Sequence, residues 1–342
     1  MRVTLRDVAL RAGVSAKTVS NVVNGTGRFS PEVRARVESA VAALNYVPNF
    51  SARGLRNGRT GLICLALPNL STPYSAELIR EFALAAARRD LGVQIEETGF
   101  DNYERERHLL SRARRHLIDG LIMSPVLLTS AALEPTPVTP PMVFLGEVHQ
   151  DTTDHVWVDN VAASREVVEH LIGLGHRRIA MLGRFRSESA RLRRKGYRQA
   201  LAAAGIAPSA GLEIPNPTWT TAAAATALDH YLDHAPLPDA IFCLTDSQAL
   251  GALNTLWRRG IRVPDDVSVA GYDDITDGRY AVPPLTTVGI DKARVAETAI
   301  DLLIDRIAEP RRQPRRVTIP YAILPRQSSG PPPDRRSPPD RR

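Results

Sequence analysis

The sequence predicts a small all-α head followed by a larger α/β core of parallel sheets in two lobes. Three observations predict it. Residues 4–24, TLRDVALRAGVSAKTVSNVVN, carry apolar residues at helical spacing on both sides of Gly13. From residue 61 the pattern changes to short apolar runs alternating with helical stretches, the sequence form of βαβ units. Basic residues crowd the first sixty positions, with ten Lys/Arg against three acids.

In the first helix Leu5, Val8, Ala9 and Ala12 share a face, and Thr4 stands where an N-cap belongs. Gly13 supplies a tight turn, and Ser15 is placed to cap the second helix. Val14, Val19, Val22 and Val23 point inward, leaving Ser15, Ala16, Lys17, Ser20 and Asn21 outward. This is the layout of a helix-turn-helix, which sets its second helix in the DNA major groove. An ordinary αα-hairpin at the edge of a core is the alternative reading of the motif alone. A third helix over residues 31–44 opens with Ser30 and Pro31, a cap followed by proline at the first helical position. Its stripe of Val33, Val37, Ala40, Val41 and Leu44 closes a three-helix unit. Pro48 ends that run, and residues 49–56 have room for only two turns, marginal in water. Gly54 weakens them by about 1 kcal/mol relative to Ala. Such a segment is expected to fold only when something holds it.

Charge is divided unevenly along the 342 residues. The head and the segment 311–342, with nine Arg and two Asp, are both strongly basic, whereas residues 61–310 carry an acidic excess. A basic head on an acidic body is the footprint of a nucleic-acid-binding module attached to a domain with another task. The Pro/Arg/Asp run at 330–342 reads as a disordered tail. A hydrophobic content of 43% supplies sizeable cores, and the length implies more than one domain. With no apolar run of 18 residues and no signal-peptide core, the expectation is a cytoplasmic protein with no membrane partner. Cys64 and Cys243 each sit inside an apolar run that reads as a buried strand, so neither a disulfide nor a metal is expected of them.

The strand candidates are GLICLALP, GVQIEE, DGLIMSP, PMVFLGE, RRIAMLG, DAIFCLTD and VSVAGYD. Helical stretches fall between them at 75–90, 104–117, 161–174, 189–204, 220–234, 247–259 and 291–308. This is too much for one sheet, hence two similar lobes. Open α/β sheets bind ligands beyond the carboxyl ends of their strands. Polar residues stand at such ends: Asn69, Glu147, Arg184, Thr245, Asp246 and Asp273.

Taken in order, VTLRDVALRAGVSAKTVSNVVNG, LNYVPNFSARGL, HLIGLGHRRIAML, SARLRRKGY, TDSQALGAL, VSVAGYDD and PPLTTV resemble the LacI/GalR-type bacterial transcriptional regulators, from about residue 3 to about residue 329. The resemblance implies a helix-turn-helix DNA-binding domain at 1–48 and a hinge helix and linker at 49–60. It implies a periplasmic-binding-protein-like core at 61–329, with three crossovers between its lobes. Lobe one would be 61–158 plus 288–317, and lobe two 159–287 plus 318–329. It implies DNA contacts from Thr4, Ser15, Ala16, Lys17, Thr18, Ser20, Asn21 and Asn24. Ala16, Lys17 and Asn21 would face bases, Lys17 a guanine and Asn21 an adenine, while Thr18, Ser20 and Asn24 would meet phosphates. Asn49, Ala52, Arg53 and Leu55 would lie in or beside the minor groove, Leu55 as a wedge at the central base step; Gly54 departs from the better helix formers expected there.

In the core, the resemblance implies effector contacts from Asn69, Tyr74, Glu147, Arg193, Trp219, Thr245, Asp246 and Asp273. Arg193 and Asp273 would bind hydroxyls, and Trp219 would stack on a pyranose face. Thr245 replaces an asparagine and Gly146 an aspartate found in some members, so the effector class is less sharply specified than the fold. A carbohydrate or sugar derivative is the expected class, against a purine, a nucleoside or no ligand. Structural roles compete for these residues: an inter-lobe salt bridge for Arg193 and Asp273, and core packing for Trp219.

Enzymatic readings find no support. There is no G-x-x-x-x-G-K-[ST], no G-x-S-x-G, and no G-x-G-x-x-G after a strand. His230 and His234 are spaced i,i+4, but the Glu of H-E-x-x-H is missing and no third ligand is evident. DDITDG lacks the ligands of a calcium loop. No cofactor and no metal are expected. The reading is a homodimeric repressor that binds a pseudo-palindromic double-stranded operator and answers to a small-molecule effector. The alternative, a solute-binding receptor of the same core fold, leaves the basic head unexplained.

Overall fold

A computed structural model describes residues 3–23, 27–46, 59–100, 102–110, 117–128, 140–146, 153–184 and 187–332. Asn24, Asn49, Ala52, Arg53, Leu55 and Glu147 lie outside the described residues, as do the hinge segment 49–56 and the tail from 333. The chain divides into two compact units, Met1–Gly61 and Leu62–Arg342.

The first unit holds α1 (Leu5–Ala12), α2 (Ala16–Val23) and α3 (Pro31–Ala43). Thr4 caps α1 in a reciprocal box with Asp7, and Gly13 ends it at φ 64°, a left-handed position natural to glycine. The Ser15 hydroxyl accepts from the Thr18 amide at 3.0 Å, and Ser30 caps α3 ahead of Pro31. Val8, Ala9, Ala12, Val19, Val22, Val37, Ala40 and Tyr46 form the core. Ala16 and Lys17 are exposed, and Thr18 and Asn21 half-buried. Ser20 corrects the expectation: it is 5% exposed, not outward. It lies beside Val19 on a helix of only two turns that packs on both neighbours, so little of its circumference is left for solvent.

Among its described residues the second unit contains two six-stranded sheets. The first has the order β11-β5-β4-β3-β1-β2, all parallel. Its strands are β1 (Leu62–Leu67), β2 (Gly92–Glu97), β3 (Gly120–Met123), β4 (Met142–Leu145), β5 (Asp154–Trp157) and β11 (Arg316–Thr318). The second has the order β12-β10-β9-β8-β6-β7 and is parallel except at β12. It comprises β6 (Ile179–Arg184), β7 (Glu213–Pro215), β8 (Ala240–Cys243), β9 (Ser268–Asp273), β10 (Thr286–Ile290) and β12 (Tyr321–Leu324). Helices α4 (Pro73–Ala87), α5 (Tyr103–Leu109) and α11 (Lys292–Ala308) belong with the first sheet. With the second go α6 (Asn160–Leu174), α7 (Glu188–Ala203), α8 (Thr221–His234), α9 (Asp246–Arg258) and the single turn α10 (Thr276–Arg279). Where α6 crosses α7, Gly196 permits the approach: a Cβ there would stand 2.3 Å from the Val161 carbonyl oxygen.

The chain passes between the sheets three times, at residues 158–159, at Asp291 and at residues 319–320. The exchange expected at 288 falls inside β10, because Gly289 and Ile290 still pair with Ala322 and Tyr321 of β12. Both cysteines are buried, Cys64 on β1 and Cys243 on β8, and neither forms a disulfide. His230 and His234 stack at the exposed end of α8 with ring centroids 4.5 Å apart. Among the described residues no helix is long and apolar enough to cross a membrane.

Candidate functional site

The carboxyl ends of the parallel strands of both sheets converge on one cavity of about 190 Å³. The first lobe contributes Asn69 after β1, Tyr74 on α4, Ser124 after β3, Gly146 after β4 and Trp157 at the end of β5. The second contributes Asn160 and Arg193 from α6 and α7, Trp219, Thr245, and Asp273 at the end of β9. The topology imposes this placement, since loops leaving the same ends of parallel strands share one rim.

Arg193 is the most heavily engaged residue of the site and is 8% exposed. Its Nε donates to Asn160 Oδ1 at 2.7 Å, and an Nη donates to the Leu244 carbonyl. The guanidinium lies 3.5 Å from the Tyr272 ring centroid and 6.0 Å from that of Trp219. Its second Nη stands 3.6 Å from Asp273 Oδ1. A guanidinium held flat by an aromatic face and by acceptors in its own plane presents its remaining donors in fixed directions. Asp273 has φ 115° and Asp274 φ 49°, conformations that L residues rarely adopt. The Asp274 carboxylate is bracketed by Arg279 and by Arg326 at 2.6 Å. Burial alone would push it up, but the two arginines more than offset this and hold it below the usual carboxylate range.

The structure brings Asn69, Tyr74, Arg193, Trp219, Thr245 and Asp273 to the cavity. The Asn69 side-chain oxygen accepts from the amide and hydroxyl of Ser71, fixing its loop. Thr245 caps α9 through the Gln248 amide. Asp246 does not line the cavity, which corrects the expectation. It is fully buried, its Oδ1 accepting from the Thr287 hydroxyl at 2.6 Å and its Oδ2 from the Ile275 amide at 2.9 Å. It fills the space beside Gly271, where a Cβ would come within 2.1 Å of Oδ1. Asp246 therefore braces the turn that carries Asp273. Burial pushes its carboxyl up to about 6, partly countered by those two donors.

Sequence reading missed Trp157, Asn160, Phe100 and Glu188 on the cavity wall. It also missed Glu106, fully buried on α5, whose carboxylate accepts from the amides of Val126, Leu127 and Leu128 at 2.7–3.0 Å. That carboxylate anchors the loop that lends Ser124, Pro125 and Val126 to the cavity. The one available signal was its helical spacing, three and four residues ahead of Leu109 and Leu110, in an otherwise charged short helix.

Residues 4–49 match the family described as bacterial regulatory proteins, lacI family, and residues 168–329 match the periplasmic binding protein-like domain. The HTH-type transcriptional repressor PurR of Haemophilus influenzae (strain PittEE) is 33% identical over 313 residues, covering 89% of this chain and 91% of that protein. The chain belongs to the lacI family of bacterial regulatory proteins. Another relative of this LacI-family chain is the transcriptional regulator CelR of Thermobifida fusca, 34% identical over 343 residues, covering 96% of this chain and 98% of the relative. A solved CelR–cellobiose complex superposes with a TM-score of 0.69 at 30% identity, over 96% of this chain and all of that one. The lac repressor dimer bound to operator and the anti-inducer ONPF superposes with a TM-score of 0.83 at 30% identity, over 96% and 100%. With its helix-turn-helix head and two-lobed core, this LacI-family protein is a ligand-controlled DNA-binding repressor.

Proposed function

We propose that this LacI-family regulator binds a pseudo-palindromic operator as a homodimer and releases or tightens it when a carbohydrate occupies the cleft. The observation that carries the effector class is the fixed guanidinium of Arg193 beside Asp273, with Trp219 and Trp157 on the same cavity. Acceptors and donors at the rim with aromatic faces behind them suit a ring with polar edges and an apolar face. The cellobiose seated in CelR belongs to the same chemical class.

On the DNA side, Ala16, Lys17 and Asn21 read base edges, and Thr4, Ser15, Thr18 and Asn24 meet the backbone. Ser20 acts from beneath this surface by packing. Asn49, Ala52, Arg53 and Leu55 form the hinge, with Leu55 as the minor-groove wedge. Exposed Trp257, Tyr280 and Val282 on the second lobe supply apolar surface for the partner copy. The protein works in the cytoplasm.

Selection from a random DNA pool with the full chain tests the reading, followed by binding with a sugar panel that includes cellobiose and ribose. A two-fold motif whose affinity shifts with one sugar is expected. Salt-sensitive binding with no enriched motif would overturn the operator reading, and a response to purines alone would overturn the carbohydrate assignment.

A further inference from the structure

We propose that Lys292 is a positioning residue that ties the two walls of the effector cleft together, reaching from the first lobe to the second, with Glu77 of its own lobe as its counter-charge. The inference rests on reading the cleft as the effector site. Lys292 opens α11 directly after the second crossover and is 9% exposed. Its Nζ donates to the carbonyls of Asp273 at 2.7 Å and Asp274 at 3.0 Å, and pairs with Glu77 Oε2 at 3.1 Å. Those three partners match the three donors of an ammonium. The same nitrogen lies 5.7 Å from the centroid of the Tyr74 ring.

Each partner has a place in the cleft. Tyr74 and Glu77 stand one turn apart on α4 of the first lobe, and Tyr74 lines the cavity. Asp273 and Asp274 form the left-handed turn of the second lobe, and Asp273 faces Arg193. Glu77 also reaches across the lobes, its Oε1 accepting the Thr276 amide at 2.6 Å. One buried ammonium, balanced by Glu77 on the neighbouring helix, thus holds an unusual backbone turn of the other lobe from behind, and its carbonyl bonds last only while the lobes keep their spacing. Moving the first lobe away takes Lys292 and Glu77 with it, strips the ammonium of its two carbonyl acceptors and leaves the Thr276 amide without its carboxylate, polar groups that are costly to leave unpaired. Lobe spacing and the aim of Asp273 are therefore set by the same contact.

Interlobe distance in the full chain tests this without DNA or effector. Because Cys64 and Cys243 are buried, nitroxide labels go to Ala87→Cys on α4 and Ala203→Cys on α7, both exposed positions. Labelled chain is diluted into excess unlabelled chain so that only distances within one protomer are read by electron–electron resonance. Lys292→Met removes the donors and keeps much of the stem. Glu77→Gln keeps an acceptor for the Thr276 amide and removes the charge. Both are expected to broaden or lengthen the distance distribution and to speed exchange of the Ile275 and Thr276 amides at least tenfold. The double variant should go no further than the larger single. Arg88→Gln, which breaks an exposed pair with Glu297 within the first lobe, should change neither. Unchanged distances and exchange in the folded Glu77→Gln protein would overturn the proposal, even if Lys292→Met fails to fold. The absence of any sugar response would instead overturn the effector reading and leave these distances interpretable.

Discussion

Arg193 lies flat against Tyr272, its guanidinium carbon 3.5 Å from the ring centroid, so the cation that faces the cavity cannot swing out of it without losing an aromatic floor. Fixed geometry, rather than charge alone, is what the site offers a ligand. Arg193→Lys should therefore behave almost as Arg193→Ala, because an ammonium neither stacks flat nor reaches Asn160, Leu244 and Asp273 together. Both variants are expected to bind operator normally and to lose at least tenfold in effector affinity, measured by titrating the responsive sugar against protein and against the protein–DNA complex. Full response in the lysine variant would refute the planar-fork argument.

Asp246 gives a pH signature of defined sign. Unfolded, its carboxyl ionises near 3.8; folded, burial holds it protonated up to about 6. Between those values the folded state binds more protons, so this group's contribution to stability falls as pH rises and is fully lost above about 6. Asp246→Asn cannot ionise. The stability of the parent minus that of Asp246→Asn should fall by about 3 kcal/mol between pH 3.5 and pH 7, from about two pKa units at 1.36 kcal/mol each. Urea melts at a series of pH values read this difference, and a flat difference would show that the buried carboxylate carries no such penalty.

Glu106 holds three backbone amides with one carboxylate. Glu106→Ala leaves those donors unpaired in the interior and should cost about 2–4 kcal/mol. Glu106→Gln restores only part of this. In both, the cavity loop 124–128 should exchange its amides faster, as read by hydrogen exchange of that segment.

The head is small, and each cap matters to it. Removing the α1 capping box with Thr4→Ala should destabilise the head by about 1 kcal/mol. The expected readout is faster amide exchange in α1 and α2, with the core melting temperature unchanged.

Leu55→Ala addresses the wedge. The variant should keep its salt-dependent affinity for unrelated DNA and lose most of its preference for the selected operator. An unchanged ratio of operator to non-specific affinity would remove the wedge from the mechanism.

The three head helices were legible because caps, a left-handed glycine and apolar spacing all agree over a short stretch. Thr4, Gly13, Ser30 and Pro31 each do in the structure what their positions announce. The strands GLICLALP and AIFCLTD were equally plain, since strands buried on both faces are continuously apolar. The short strands DHVW, EIP, TTVGI, RVT and YAIL were missed. Their identity comes from the neighbours they pair with, and β5 begins with a buried aspartate that meets Arg306 and Arg312. Missing β5 meant missing Trp157 at its end. The effector site was legible where polar residues follow recognisable strands, as at Asn69, Thr245 and Asp273. It failed at Asp246, where a helix's first side chain turns back under a strand end instead of outward. Spacing cannot distinguish those two directions, and neither can it foresee Ser20 being covered by its neighbours.

The three passages between the sheets have a practical consequence for grafting. Exchanging the head of this protein for another takes a single splice near residue 60. Exchanging one lobe takes three, at 158–159, 291 and 319–320, and each splice falls at or next to a residue that lines the cavity, Val158, Ile290 or Ile319. Specificity for DNA can therefore be moved between such proteins as a cassette, whereas specificity for the small molecule has to be rewritten residue by residue in place.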